Sequence, residues 1–266
     1  CNGDFTRQMN YGDCHDRYSS HPVCVYYKVA AEYRNGHAQK LGNMVVKEFL
    51  AQEAANSKVK PGILPEAIFE FLWYDDLPLA RYFEDLGLLA LRSSWQRDAR
   101  VFSIKCGAPG GAKQWREGWK ILQDEGIDLF SLSHHHPDNL SYIFASGGEY
   151  FTCEDGYNRN LMPDNHNVLL VDGRYTDAQD VNDVYMTSVE QRQKEEGKDF
   201  SPESYGGFVS CVKVEGNLAV YRGETAGVYP RHMQMQEVSR VLVTDGLGCS
   251  CHFSGTIGRS SRFQRA

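Results

Sequence analysis

Within residues 21–50 the apolar positions Val25, Val29 and Tyr33, then Leu41, Met44, Val45 and Phe49, recur every three or four residues. That step lines side chains along one stripe of an α-helix. The spacing predicts two helices, broken near Asn35-Gly36. Residues 65–73 read as a further short helix with Pro65 in its first turn. After Gly87 the period changes to two. Segments 88–93, 100–105, 141–145, 150–153 and 168–171 alternate and carry β-branched or aromatic residues, and 209–214, 218–222 and 238–244 continue the pattern. Gly147-Gly148 and Asp172-Gly173 are turn signals beside these predicted strands. The pattern therefore predicts a helical segment over 1–86 and an antiparallel β-domain over 87–266. Two stretches break it. Residues 187–201 are charged and nearly free of apolar side chains, which reads as a solvated loop or an exposed helical insertion. The tail from Gly246 onward loses strand alternation and reads as disordered, or as an effect of where the chain stops.

Composition narrows the function classes. With 266 residues, 41% hydrophobic and 12% aromatic, the chain can build a sizeable core. A net charge of -7 with no run of Lys or Arg leaves no electrostatic footprint for nucleic acid. No stretch approaches the roughly 18 apolar residues that a membrane span needs, so neither nucleic acid nor a membrane is an expected partner. The opening Cys1-Asn2-Gly3-Asp4 is neither a signal peptide nor an initiator methionine, and reads as the start of a piece of something longer. The 8 cysteines show no repeated short spacing, so they read mostly as small buried hydrophobes rather than as a disulfide framework.

The densest chemical signal is Ser133-His134-His135-His136-Pro137-Asp138, just ahead of a predicted strand. On extended backbone His134 and His136 share one face and His135 takes the other. Imidazole is both a common transition-metal ligand and a group that moves protons near neutral pH. Two neighbouring histidines can therefore divide into one metal ligand and one catalytic group. Candidates for a third ligand are Glu154 and Asp155, across the Gly147-Gly148 turn, and His166. A His, carboxylate, His set on adjacent strands suits tetrahedral zinc. The plainer reading is an exposed polyhistidine loop with an Asx-type turn at Asn165 to Asn167. No HExxH, GxSxG or GxxxxGK[ST] pattern is present, which argues against a zincin protease, an α/β-hydrolase and a P-loop NTPase.

Five ordered segments carry a resemblance. They are Arg92-Ser93-Ser94-Trp95, Lys105-Cys106-Gly107, His134 to Tyr142, Glu154-Asp155-Gly156-Tyr157 and His166-Asn167 through Asp172-Gly173. In this order the chain resembles the heparinase II/III-like polysaccharide lyases. The resemblance implies an α+β architecture, the end of an incomplete α/α toroid followed by an antiparallel β-sandwich. It also implies His134 as the catalytic histidine, and Arg92, Trp95, His135 and Tyr157 as substrate-binding residues. A structural zinc would be held by His136, Glu154 and His166. Glu154 departs from the family's aspartate, so Asp155 is the alternative ligand.

Such lyases cleave the bond to a uronic acid by β-elimination. The implied partner is an acidic polysaccharide or oligosaccharide, the implied location of the parent protein is periplasmic or extracellular, and the resemblance allows a homodimer. The family's tyrosine acid/base and its Asn-His pair are expected ahead of Asn10-Tyr11, so this stretch alone is expected to be inactive or very weak. Tyr11, Tyr18, Tyr26 and Tyr27 are expected to pack between helices. Trp115 and Trp119 are candidate stacking faces for sugars, with packing between helix and sheet as their plainer role. The alternatives to a lyase are a non-catalytic carbohydrate-binding or scaffold protein of the same fold, and a zinc hydrolase with an open fourth ligand position.

Overall fold

The computed structural model describes residues 11, 23–47, 77–96, 98–127, 136–152, 154, 163–171, 206–216, 218–229, 233–245 and 251–259. Helices α1 (Val23–Tyr33) and α2 (Gly36–Val45) form the predicted pair. They are broken where expected, because the Asn35 side chain caps α2 by accepting from the Ala38 amide at 3.0 Å. The pair is pinned by Tyr27 Oη donating to Asn43 Oδ1 at 2.9 Å. The expected helix at 65–73, the loop at 187–201 and the Asp172-Gly173 turn lie outside the described residues.

The rest is an α+β arrangement of two antiparallel sheets. The first runs β1 (Ala80–Phe83), β2 (Leu88–Arg92), β3 (Val101–Lys105), β4 (Tyr142–Ser146) and β5 (Glu149–Thr152), paired in chain order. The second runs β6 (Phe208–Glu215), β7 (Leu218–Glu224), β8 (Met235–Thr244) and β9 (Cys251–Arg259), also in chain order. The sheets pack face to face. Leu89, Leu91, Phe102 and Ile104 from the first share one core with Ala219, Tyr221, Val238 and Leu242 from the second. Polar ties cross the same interface, with Tyr221 Oη donating to Gly87 O at 2.9 Å and Cys106 Sγ to Glu224 O at 3.3 Å.

Four differences from the sequence reading have physical causes. The sheet begins at β1, ahead of Gly87, in a stretch expected to be helical; four residues are too few to show a period. Helix α3 (Ala112–Glu125) sits between β3 and β4. Its N-terminus is satisfied from a distance, as the Lys113 amide donates to Asp85 Oδ1 at 2.6 Å, so no local capping residue announces it. Segment 168–171 is not a strand, and only Val171 makes a single bridge. The tail does hold a strand: β9 pairs along β8 from Met235↔Arg259 to Thr244↔Cys251. Backbone hydrogen bonds place that edge strand without needing side-chain alternation.

The predicted hairpin at Gly147-Gly148 is present, with φ of 57° and 83° at the two glycines. Positive φ at both central positions is what a two-residue type I′ turn demands. Gly87 is equally constrained: its φ is 61°, and a Cβ there would lie 1.9 Å from the Cys106 carbonyl oxygen.

Candidate functional site

The site lies where β3 ends and β4 begins. Lys105 is the last residue of β3, and the chain returns through Asp138–Ser141 to pair beside it. Leu140 N donates to Lys105 O at 2.7 Å, and Lys105 N donates to Ser141 O at 3.2 Å. The return is compact because Asp138 N reaches His136 O at 2.9 Å and Ser141 N reaches Asp138 O at 3.0 Å. Asn139 seals the corner by accepting from the Gly107 amide at 2.8 Å. This geometry forces Leu140 into the left-handed region at φ 69°, a conformation that a branched residue keeps only when its surroundings hold it there.

Polar groups crowd this corner. His136, Asp138, Glu154 and His166 are all buried. Lys105 Nζ donates to Asp138 Oδ1 at 2.6 Å, an ion pair with the carboxylate side chain fully buried. The His136 and His166 rings lie 5.3 Å apart between centroids, tilted by 59°. Glu154 and His166, expected from the resemblance as ligands of one zinc, instead face each other: Glu154 Oε2 lies against His166 Nδ1. His166 is presented by the 3₁₀ turn Pro163–Asn165, its amide donating to Pro163 O at 3.1 Å.

Burial lowers the His166 pKa from 6.5 to about 4, outweighing the opposing pull of the Asp138 carboxylate. The ring is therefore neutral at physiological pH. A neutral imidazole that donates from Nδ1 to Glu154 keeps an electron pair on Nε2, and that nitrogen is buried with no hydrogen-bond partner among the described residues. A carboxylate that fixes one imidazole nitrogen so that the other can bind a metal is a recurrent arrangement around zinc. The donor types and their burial fit zinc. As placed, however, Glu154 serves His166, and among the described residues no group of three or more His, Cys, Asp or Glu side chains surrounds a common centre.

The sequence reading missed Tyr11 as a member of this corner. It was expected to pack between helices, but its hydroxyl lies 3.1 Å from Ser103 Oγ on β3 and its ring 5.8 Å from Lys105 Nζ. Burial raises the phenol pKa well above its ordinary value, and the nearby Asp138 carboxylate adds to the rise. No spacing signal links Tyr11 to Ser103, since the two meet only through the tertiary fold.

Other expected residues stand elsewhere. Arg92 and Trp95 lie at the far end of β2: Leu88 pairs with Lys105, whereas Arg92 pairs with Val101. Four strand residues separate the two ends by roughly 13 Å. There the Arg92 guanidinium sits 4.8 Å from the Trp95 ring and donates from Nε to Ser94 O at 3.2 Å, while Trp95 Nε1 donates to Leu77 O at 2.9 Å. Trp115 and Trp119 are buried edge to face, 5.7 Å apart, and offer no exposed ring face to a sugar. His134, His135, Asp155 and Tyr157 lie outside the described residues.

The α+β class is thus defined by two packed antiparallel sheets with a buried histidine and carboxylate corner. No known family's sequence profile matches the chain. Among solved structures it is similar to heparan sulfate lyase from Pedobacter heparinus, at 14% identity and TM-score 0.42, over 91% of this chain and 28% of that one. It is also similar to a heparinase III with methylated lysines, at 14% identity and TM-score 0.47, over 92% of this chain and 28% of that one. A further heparinase III matches at 14% identity and TM-score 0.44, over 91% of this chain and 30% of that one. The chain therefore spans less than a third of the length of each of these proteins. The likeness is one of fold alone, and it says nothing of substrate or catalysis.

Proposed function

We propose that this chain is the β-domain portion of a polysaccharide lyase that cleaves uronic-acid-containing glycans by β-elimination, with a structural zinc at His136 and His166. The observation that carries the reading is the burial of His136, Asp138, Glu154 and His166 in one corner beside Lys105 and Tyr11. Burying this many ionisable groups costs stability unless they are paired or bind an ion, so such a corner marks a working site. The carboxylate of the zinc set would be Asp155, or Glu154 if it turned from His166, which it faces here. The zinc would supply a fixed positive centre that holds the two histidine-bearing segments together. The resemblance supports His134 as the group facing the sugar.

In β-elimination a base takes the proton on the carbon alpha to the uronate carboxylate, a carbon–carbon double bond forms, and the bond to the glycosidic oxygen breaks. That oxygen must then gain a proton. A carboxylate next to the departing proton opposes the step unless a donor or cation neutralises it. His134 takes the role of base or neutraliser. Burial keeps Tyr11 a neutral phenol bonded to Ser103; the proton for the leaving oxygen would come from the tyrosine that the resemblance places ahead of Asn10.

The test is calorimetric binding of heparan-type and alginate oligosaccharides against a neutral glucan, followed by ultraviolet detection of unsaturated uronate. The expected result is binding of at least one uronate oligomer but not of the glucan, weakened about tenfold or more in His134→Ala. Binding confined to uronate oligomers with no product from the intact parent would favour the non-catalytic alternative. Equal affinity for the neutral glucan, or none for any uronate oligomer, would overturn the proposal.

A further inference from the structure

We infer that Arg240 and Asn167 form a positioning clasp, anchored in the second sheet, that sets the spacing of the His136-bearing and His166-bearing segments. Arg240 is a β8 residue and nine-tenths buried. Its Nη1 donates to Leu140 O at 2.5 Å and to Asn167 O at 2.9 Å, with Asn167 Oδ1 at 3.3 Å. One guanidinium nitrogen therefore holds both segments. The Arg240 Cζ lies 5.3 Å from the centroid of the Tyr142 ring. The Leu140 carbonyl belongs to the one residue of the Asp138 return with left-handed backbone, so this hydrogen bond also holds the strained turn that carries His136 and Asp138.

Asn167 completes the clasp from the other side. Its amide side chain imitates a strand residue: Nδ2 donates to Tyr142 O at 2.6 Å and Oδ1 accepts from Tyr142 N at 2.9 Å. These are the two hydrogen bonds that a paired residue of an antiparallel neighbour would make. The side chain takes the place of the strand expected at 168–171 and docks the residue next to His166 against the start of β4. A backbone strand would tie down a whole segment, whereas this side chain ties down one point, the point beside the candidate ligand.

The planar guanidinium fixes the direction of the Nη1 hydrogens toward Leu140 O and Asn167 O, whereas a lysine ammonium is a rotating point charge on a flexible stem. Aspartate at 167 would lose the donor to Tyr142 O and place a charge in its stead.

This inference rests on the proposed zinc reading for one of its two readouts. The experiment uses the full 266-residue chain as wild type, Arg240→Lys, Arg240→Gln and Asn167→Ala. Hydrogen exchange is measured on the apo protein, and zinc affinity is measured by chelator competition with the metal alone. The clasp predicts several-fold faster exchange confined to residues 138–142 and 165–171, with 218–224 of β7 unchanged. It also predicts zinc affinity weakened about 10- to 100-fold in all three variants, with Arg240→Lys failing to rescue. Uniformly faster exchange in both sheets would show an ordinary core residue and overturn the clasp. Unchanged exchange in the two segments would overturn it as well. If the wild type binds no zinc, the zinc reading fails alone, and the exchange pattern still decides the clasp.

Discussion

The two ends of β2 and β3 share a sheet and a core but differ in what they bury. At the Lys105 end, two carboxylates and two histidines are buried within one corner beside a partly exposed lysine. At the Arg92 end, the guanidinium lies against Trp95 and the backbone of Ser94, and the indole is anchored to Leu77. The second end spends its polar groups on holding loops to the sheet. The first keeps an imidazole nitrogen without a hydrogen-bond partner among the described residues, and holds a non-glycine residue at positive φ. Strain and an unsatisfied polar atom are the kind of feature that functional sites hold, so the proposed chemistry is placed at the Lys105 end.

The largest effect that should separate the ends is Asp138→Ala. It leaves the Lys105 ammonium, 14% exposed, without its carboxylate, and should cost about 3–5 kcal/mol in denaturant unfolding. Replacing both members of the pair with apolar residues should recover much of that loss, and a double variant as unstable as the single one would show that the ion pair is not the cause.

Acid should act on the same end. His166 takes up a proton at 6.5 when unfolded but only near 4 when folded, because burial opposes the charge. The stability held by the neutral ring is complete above pH 6.5 and drains away as the pH falls toward 4. Urea unfolding of the metal-free protein across this window should show that slope in the wild type and a flatter one in His166→Gln.

The smallest effect belongs to the other end. Trp95→Phe removes the indole donor to Leu77 O and should cost about 1 kcal/mol, with zinc content and uronate binding unchanged. A loss of glycan binding in that variant would return Trp95 to the substrate-binding role that the resemblance implies.

How much of this was legible in the sequence depended on whether the signal was local. The α1–α2 break at Asn35, the central strands and the Gly147-Gly148 hairpin could be read because caps, alternation and turn glycines act over a few residues. Helix α3 was hidden because its cap comes from Asp85 in the β1–β2 turn. Yet Trp115 and Trp119 at helical spacing, with Gly126 at φ 69° closing the end, were a usable sign. Strand β9 was hidden because pairing with β8, not its own side-chain pattern, makes it a strand. His136, Glu154 and His166 were picked out by residue type and by resemblance; in the structure Glu154 faces His166 and the His136 ring lies 5.3 Å from it, without a common centre for all three among the described residues. Tyr11, Asn167 and Arg240 join the corner only through contacts across the fold, and no short window could have revealed them.

Zinc content after dialysis against a weak chelator is the measurement that bears most directly on the corner at His136 and His166. It should be made on the wild type beside His136→Ala and His166→Ala, with Trp95→Phe as the control from the other end. The account predicts near-stoichiometric zinc in the wild type and the control, and its loss in both histidine variants. A wild-type chain without zinc, or zinc retained when either histidine is removed, would contradict it.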